Sequence, residues 1–380
     1  MGSGLAEVAA ALLAPSPDGS TPPGAVIGVA TVDGREDVAV AGRSSADSGA
    51  ELSVDARFDI ASVTKVLGTT AALMRLVGER LLVLDTSVRR ILPTAAVGVE
   101  STVRDLLQHR AGLWEWQPLY LADDEPFAAL DALPARYPPG SGFHYSDLGF
   151  MLLGRIIETV TGEALPSAFD ELVFAPLALR ASGFGPVSSD AVASSFGDRA
   201  EREMVLSVRP YPVRFGENGF AWREHVLVGE VNDGNCHHAF GGVAGHAGLF
   251  STVPDLLRFA LSLIDATGEA TGDATPWPFE VVQEFFAAGP DPGQALGFRR
   301  SVIGFRGTPV TMLWHPGFTG CAVGVIPERG AAVAMATNRL LVEGEPRSTM
   351  SLWSSLLDGL DRADVLDSRS PVPTDPMRTA

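Results

Sequence analysis

The chain is short of cysteine, of charge and of long apolar runs, and each shortage excludes something. Of its 380 residues only Cys236 and Cys321 carry thiols. Two thiols far apart in sequence make no disulfide framework; one bridge at most is open, and free buried thiols suit a reducing compartment. No stretch approaches the ~18 consecutive apolar residues of a membrane span. The first apolar run, inside MGSGLAEVAAALLAPSPDGS, has no basic residue before it and is broken by Pro15 and Pro17. It reads as an amphipathic helix rather than a secretory signal, so the expected location is cytoplasmic. Charged residues are 19% of the chain and hydrophobic ones 46%, a globular composition rather than a disordered one. Basic residues are the scarcer sign, 28 against 46 acidic, for a net charge of −18. Such a surface repels phosphate backbones and anionic bilayers, so neither nucleic acid nor membrane is an expected partner.

What is present is organised from both ends. A helix is expected over about 4–13, then a hairpin turning at Asp33-Gly34, where GAVIGVATVDG and REDVAVAGRSS alternate. From Thr64 onward apolar residues recur at helical spacing, flawed by Gly68. Residues 72–180 read as largely helical, with TVRDLLQHRAGL and SDLGFMLLGRIIETVTGEAL the clearest patterns, and 183–250 as loop-rich. A helix restarts at STVPDLLRFALSLIDATG, capped by Ser251 or Thr252, with Pro254 in its first turn. Four short runs between Arg299 and Leu340 read as consecutive antiparallel strands, and RSTMSLWSSLLDGL as a closing helix.

Strands at both ends with helices between predict an α+β fold: one antiparallel sheet built from both termini, flanked by helices, with a mostly helical domain inserted. The expected division is 1–75 plus 255–365 for the sheet domain, 76–254 for the helical and loop domain, and 366–380 as a frayed tail. The cleft between the two is the expected site.

Inside FDIASVTKVLGTT, Ser62 and Lys65 stand three apart at a helix start, which puts them on one face. A serine hydroxyl is a weak nucleophile until a base takes its proton, and a lysine whose pKa is held down by burial can be that base. Alone, such a pair is usually coincidence. Two further elements follow in order: Tyr145-Ser146-Asp147 at the mouth of a helix, and His315-Pro316-Gly317 at the end of an expected strand.

Taken as a set, these residues resemble the serine β-lactamase and penicillin-binding-protein superfamily. The likeness is to the branch shared by class C β-lactamases, family VIII-type esterases, D-amino-acid peptidases and muropeptide amidases. Its motifs are Ser-x-x-Lys, Tyr-x-Asn and Lys-Thr-Gly. The flanking LLVLDTSVRRILP, TVRDLLQHRAGL and YSDLGFMLLGRIIETVTG match as well, so the resemblance spans about 20–340. It implies the β-lactamase/transpeptidase-like fold and a serine acyl hydrolase with no cofactor. Ser62 would form the acyl-enzyme, Lys65 and Tyr145 would share the proton work, and the N–H groups of Ser62 and Phe318 would make the oxyanion hole.

Two departures bear on the substrate. Asp147 stands where the family has asparagine and can accept from Lys65 but not donate while ionised. His315 stands where the family has lysine and matches that cation only when protonated. Both lower the expectation of efficient β-lactam hydrolysis, and they favour a small-molecule ester or amide. On the lysine analogy, His315→Lys should improve capture of a carboxylate. A muropeptide amidase or D-amino-acid peptidase, a weak β-lactamase, and a non-catalytic binding protein on the same fold are the other readings.

In NDGNCHHAFGGVAGHAGLFST, the spacing of Asp233, Cys236, His237, His238 and His246 matches no standard zinc pattern, so no metal is expected. GGVAGHAGLFST resembles the muropeptide-amidase subset, in which His246 would touch substrate. Gly317 lies beside the oxyanion donor, and Trp114 and Trp116 are candidates for an apolar or sugar-stacking wall of the cleft. His109 reads as structural.

Overall fold

The computed structural model describes residues 2–45, 50–95, 97–98, 100–217, 219–265 and 275–366. Among the described residues nine strands run in chain order: β1 Gly24–Thr31, β2 Glu36–Gly42, β3 Phe58–Asp59, β4 Gly183–Phe184, β5 Leu249–Ser251, β6 Arg299–Phe305, β7 Thr308–Pro316, β8 Ala322–Ile326 and β9 Ala331–Thr337. Six of them form one sheet in the order β2-β1-β9-β8-β7-β6, every neighbour antiparallel. Both ends of the chain meet where β1 pairs with β9, with Gly28 opposite Ala334. This is the α+β sheet expected from the strand pattern.

The strand period sorts side chains between two layers. On one face Ala25, Ile27 and Val29 of β1 and Ala331, Val333 and Met335 of β9 meet the terminal helices Gly2–Leu12 and Thr349–Arg362. On the other face Val26, Ala30, Ala332, Ala334 and Ala336 join the core of the helical body. Both faces are covered, so β1 and β9 are buried along their whole length. The helix Val253–Asp265 lies on this second face, and Gly28 admits it: a Cβ there would stand 2.6 Å from Leu257 Cδ1. Thr252 Oγ1 accepts the N–H of Asp255 and so caps that helix.

The remaining strands form a small sheet, β3-β5-β4, that sequence reading does not reveal because its strands are two or three residues long. It fastens Phe58-Asp59, just before Ser62, to the segment after His246. The loop-rich expectation for 183–250 also passes over the helix Arg199–Ser207, in which only Val205 is buried. Conversely, the helix expected over TVRDLLQHRAGL stops early, at Val103–Leu107, because His109 takes a left-handed backbone (φ 56) to turn under Tyr145. The proposed tail 366–380 lies outside the described residues from 367 onward. Among the described residues no helix is long and apolar enough to cross a membrane.

Candidate active site

Ser62 sits at a bend. β3 ends at Asp59, Ala61 takes a left-handed backbone (φ 44), and a short 3₁₀ turn Ala61–Val63 leads into a widened turn over Lys65–Thr70. A left-handed alanine costs about 1–2 kcal/mol. The buried Asp59 carboxylate supports it by accepting the Ala61 N–H at 2.8 Å. Its other oxygen accepts Asn232 N–H at 2.5 Å, tying the bend to the 232–247 loop. Burial pushes the Asp59 carboxyl up to about 6, against those two N–H bonds.

Lys65 is fully buried and its ammonium has three acceptors. It donates to Ser62 Oγ at 2.9 Å and to His246 O at 3.0 Å, and it pairs with Asp147 Oδ1 at 2.7 Å. Burial pulls its pKa down most, yet Asp147 and Tyr145 outweigh that and hold it above the ordinary lysine value. The Tyr145 hydroxyl lies in hydrogen-bond range of Ser62 and Lys65. Burial raises the Tyr145 phenol, and Lys65 offsets only part of this. At rest, then, lysine is an ammonium and tyrosine a phenol.

Lys65 is also the chain's one lysine; every other of its 28 basic residues is arginine. Arginine cannot lose its proton in a protein, whereas a buried lysine can. That compositional signal is independent of any motif and could have singled out Lys65 from the sequence.

Tyr145 is aimed by its neighbours. Ser146 Oγ caps the helix Asp147–Thr161 through Gly149 N–H, and Ser146 N–H donates to His109 Nδ1 at 3.0 Å. The His109 ring lies 4.6 Å from the Tyr145 ring, which gives His109 the structural role expected of it. Burial, then Lys65 and Arg299, push His109 down to about 3, so it stays neutral.

The cleft beside Ser62 has a volume of ≈ 480 Å³, within the range usual for small-ligand sites. Ser62, Tyr145, Asp147, Trp116, Gly317 and Phe318 all line it. Four other expected site residues do not: Lys65, which lies buried against Ser62, and Trp114, His246 and His315. Trp114 is turned away, its Nε1 donating to Pro134 O and Arg136 stacking on its ring at 4.5 Å. The His246 ring is buried against Asp233 (Nε2 to Oδ1, 2.9 Å), and only its carbonyl reaches Lys65. His315 is fully buried, because the pleat of β7 sends it to the body side, behind Tyr145. Burial first, then Lys65, Arg299 and His109, hold its pKa well below the ordinary histidine value. It is therefore a neutral wall and no substitute for the family's lysine. His315→Lys accordingly should not improve carboxylate capture. It would add an ammonium beside Lys65 and Arg299, and a loss of several kcal/mol in a denaturation curve is expected.

The glycine-rich loop packs closely, as expected. Gly245 rests on Gly154 of the helix Asp147–Thr161, where a Cβ would stand 2.3 Å from Phe150 O. Cys236 and Cys321 are free and buried. Cys236 bonds Ala247 O, His238 bonds Asp198 and His246 bonds Asp233, and among the described residues no cluster of three metal-binding side chains forms.

Sequence reading missed the charged walls of the cleft. Asp198, Glu201 and Asp233 line it with Asp147, and so do Arg299 and Arg339. Asp198 is held by Arg223 at 2.6 Å, and Arg223 also donates to the carbonyls of Val231 and Asn232, which fixes the approach to Asp233. Burial and the nearby Asp233 push the Glu201 carboxyl up. Among the described residues neither Arg299 nor Arg339 has a carboxylate partner, in a chain with a large acidic surplus.

This fold and this serine–lysine–tyrosine arrangement are those of the serine β-lactamase and penicillin-binding-protein superfamily. The chain belongs to the Beta-lactamase family, whose model matches residues 10–350. It is 29% identical over 328 residues to the N-acetylmuramyl-L-alanine amidase of Bacillus subtilis (strain 168), covering 76% of this chain and 69% of that protein. Solved structures share its fold, and two of them illustrate the range. One is the D-amino acid amidase from Ochrobactrum anthropi SV3 with D-phenylalanine (TM-score 0.69, 17% identity, 95% and 98% of the two chains). The other is EstCE1, a hydrolase with promiscuous acyltransferase activity (0.66, 23%, 95% and 99%).

Proposed function

We propose that the protein is a serine acyl hydrolase that cleaves a small-molecule carboxyl ester or amide through an acyl-enzyme on Ser62. The observation that carries this is the 2.9 Å contact between Ser62 Oγ and the buried, solitary lysine, with the Tyr145 hydroxyl in range of both. Ser62 Oγ attacks the carbonyl and its proton passes to Tyr145 or Lys65. Asp147 pairs with Lys65 and favours its ammonium, so the proton acceptor is the Lys65–Tyr145 pair after it has released one proton to solvent. The oxyanion forms against the N–H groups of Ser62 and Phe318. The leaving group departs with the proton, and water hydrolyses the ester by the reverse sequence.

An amide carrying a carboxylate is the substrate favoured by the cleft's arginines, neither of which meets a carboxylate among the described residues, and the Bacillus amidase supports the same class. Arg299 lies against the rings of Tyr145 and Trp314, with its centre 5.8 Å from each, and its Nε is buried without a partner. Arg299 is half-buried, and a ligand carboxylate would complete the one nitrogen that burial leaves without a partner. Arg299→Gln should therefore raise KM for a carboxylate-bearing amide about ten-fold, the worth of one charge-assisted bond, and leave KM for a neutral nitrophenyl ester within about two-fold. Equal changes for both substrates would remove the carboxylate from the proposal.

The reading as a whole is tested by a panel of p-nitrophenyl acetate, butyrate and octanoate beside D-aminoacyl amides and N-acetylmuramyl-L-alanine. Turnover of at least one class, abolished by a phosphonate, is expected. Hydrolysis of none of them, together with indifference to the phosphonate, would point to a binding protein on this fold.

A further inference from the structure

The strand end that carries Phe318 is held by side chains that no motif contains. Gly317 lies so close to the nucleophile bend that a Cβ on it would stand 2.4 Å from Ile60 O. Thr319 Oγ1 donates to Asp59 O at 2.6 Å. The 317–319 turn is thus docked on the residues that precede Ser62, which sets the spacing of the two N–H groups assigned above to the oxyanion. Among the described residues the Phe318 N–H donates to no protein group, and Phe318 and Gly317 both line the cleft.

A peptide N–H and the carbonyl across the same peptide bond point in opposite directions. Fixing Gly317 O therefore fixes the direction of Phe318 N–H. Gly317 O accepts two hydrogen bonds. One is the turn's own, from Gly320 N–H at 3.1 Å. The other comes from outside the turn: Thr349 Oγ1 donates to it at 2.9 Å from the first residue of the last helix. Helix capping does not need this hydroxyl, because Ser348 is the cap and accepts Ser351 N–H at 3.1 Å. The next peptide is fixed likewise, with Arg339 Nε donating to Phe318 O at 2.9 Å.

We propose that Thr349 is a positioning residue for the oxyanion hole, aiming and polarising the Phe318 N–H through the Gly317 carbonyl. This rests on the reading of Ser62 as the nucleophile. Two effects follow from its donation. The peptide plane is held while negative charge develops on the substrate oxygen, so no reorganisation is needed at that moment. Donation into the carbonyl also strengthens the N–H on the other side of the peptide, as in any hydrogen-bonded chain. Both act on the transition state more than on the bound substrate, so the effect belongs in kcat rather than KM.

The test compares Thr349→Val, which keeps the shape and removes the hydroxyl, with Thr349→Ser, which keeps the hydroxyl. The substrates are a p-nitrophenyl ester and the matching thionoester, whose sulfur is a poor hydrogen-bond acceptor and gains little from an oxyanion hole. Thr349→Val should lower kcat on the ester about ten-fold, less than the ~10²–10³ of a lost donor, with KM within about two-fold. The ester-over-thionoester rate ratio should fall with it. Thr349→Ser should stay within about three-fold of the wild type. An unchanged ratio in Thr349→Val overturns the proposal, whatever the absolute rate. So does equal damage in both variants, which would mark a packing role for the side chain. A wild-type chain that takes up no phosphonate on Ser62 overturns the underlying reading and this one with it. Normal phosphonate uptake with an unaltered ratio in Thr349→Val overturns this one alone.

Discussion

Ser62→Ala reduces ester and amide turnover by roughly 10⁴-fold or more, to the level that binding and an oxyanion hole supply without a nucleophile. The loss is so large because the neighbouring hydroxyl and the chain's two thiols are in no position to replace the Ser62 hydroxyl. Thr64 is fully buried, with its hydroxyl accepting Leu249 N–H, and the free thiols of Cys236 and Cys321 are buried. Burial also pushes both thiols up, Cys321 to about 12, so neither supplies a thiolate at neutral pH. The alanine chain should fold as the wild type does, since Ser62 Oγ meets only Lys65 and Tyr145, and the ammonium keeps Asp147 and His246 O. A rate loss under ten-fold, read with p-nitrophenyl butyrate on matched samples, would remove Ser62 from the chemistry.

Lys65→Arg and Tyr145→Phe each lower kcat at least ~100-fold, as the loss of a positioned proton carrier does. The arginine exchange is the sharper of the two. It keeps the positive charge beside Asp147 but cannot release a proton, and its wider guanidinium does not fit a site sealed by Phe150, Tyr145 and the His246 carbonyl. The chain uses arginine at every other basic position, so the lysine here is a choice of chemistry over charge. Tyr145→Phe removes only the hydroxyl and leaves the ring against His109. Near-wild-type rates from Lys65→Arg would leave the lysine an electrostatic role alone. In Tyr145→Phe, retained rates would make Lys65 the sole proton acceptor.

What could be read from the sequence, and what could not, follows from distance along the chain. Ser62 and Lys65, Tyr145 and Asp147, and Gly317 and Phe318 are near neighbours within their motifs, and local pattern finds them. The sheet was legible for a similar reason, because β1 with β2 and β6 through β9 are sequential hairpins with strong turn residues. Arg299, Arg339, Asp198 and Thr349 reach the cleft from four separate segments, and each alone looks like an ordinary polar residue. Thr349 bonds to a carbonyl 32 residues away. Analogy with a lysine at the same motif position points His315 toward the substrate, and the structure buries it instead. The side of the sheet it faces is set by the pleat of β7 and by the helical body that closes over it, neither of which the motif records. His246 was misplaced by one atom group: the residue is at the site, but through its carbonyl rather than its ring.

The account stands most directly on whether Ser62 becomes covalently modified. The measurement is intact-protein mass after incubation with a fluorophosphonate, on the wild type and Ser62→Ala side by side, with peptide mapping of any adduct. One adduct per chain, mapped to Ser62 and missing from the alanine variant, is the predicted result. An adduct that persists in Ser62→Ala, or a wild-type chain that takes up none, would contradict the acyl-enzyme and leave the serine–lysine–tyrosine cluster without its nucleophile.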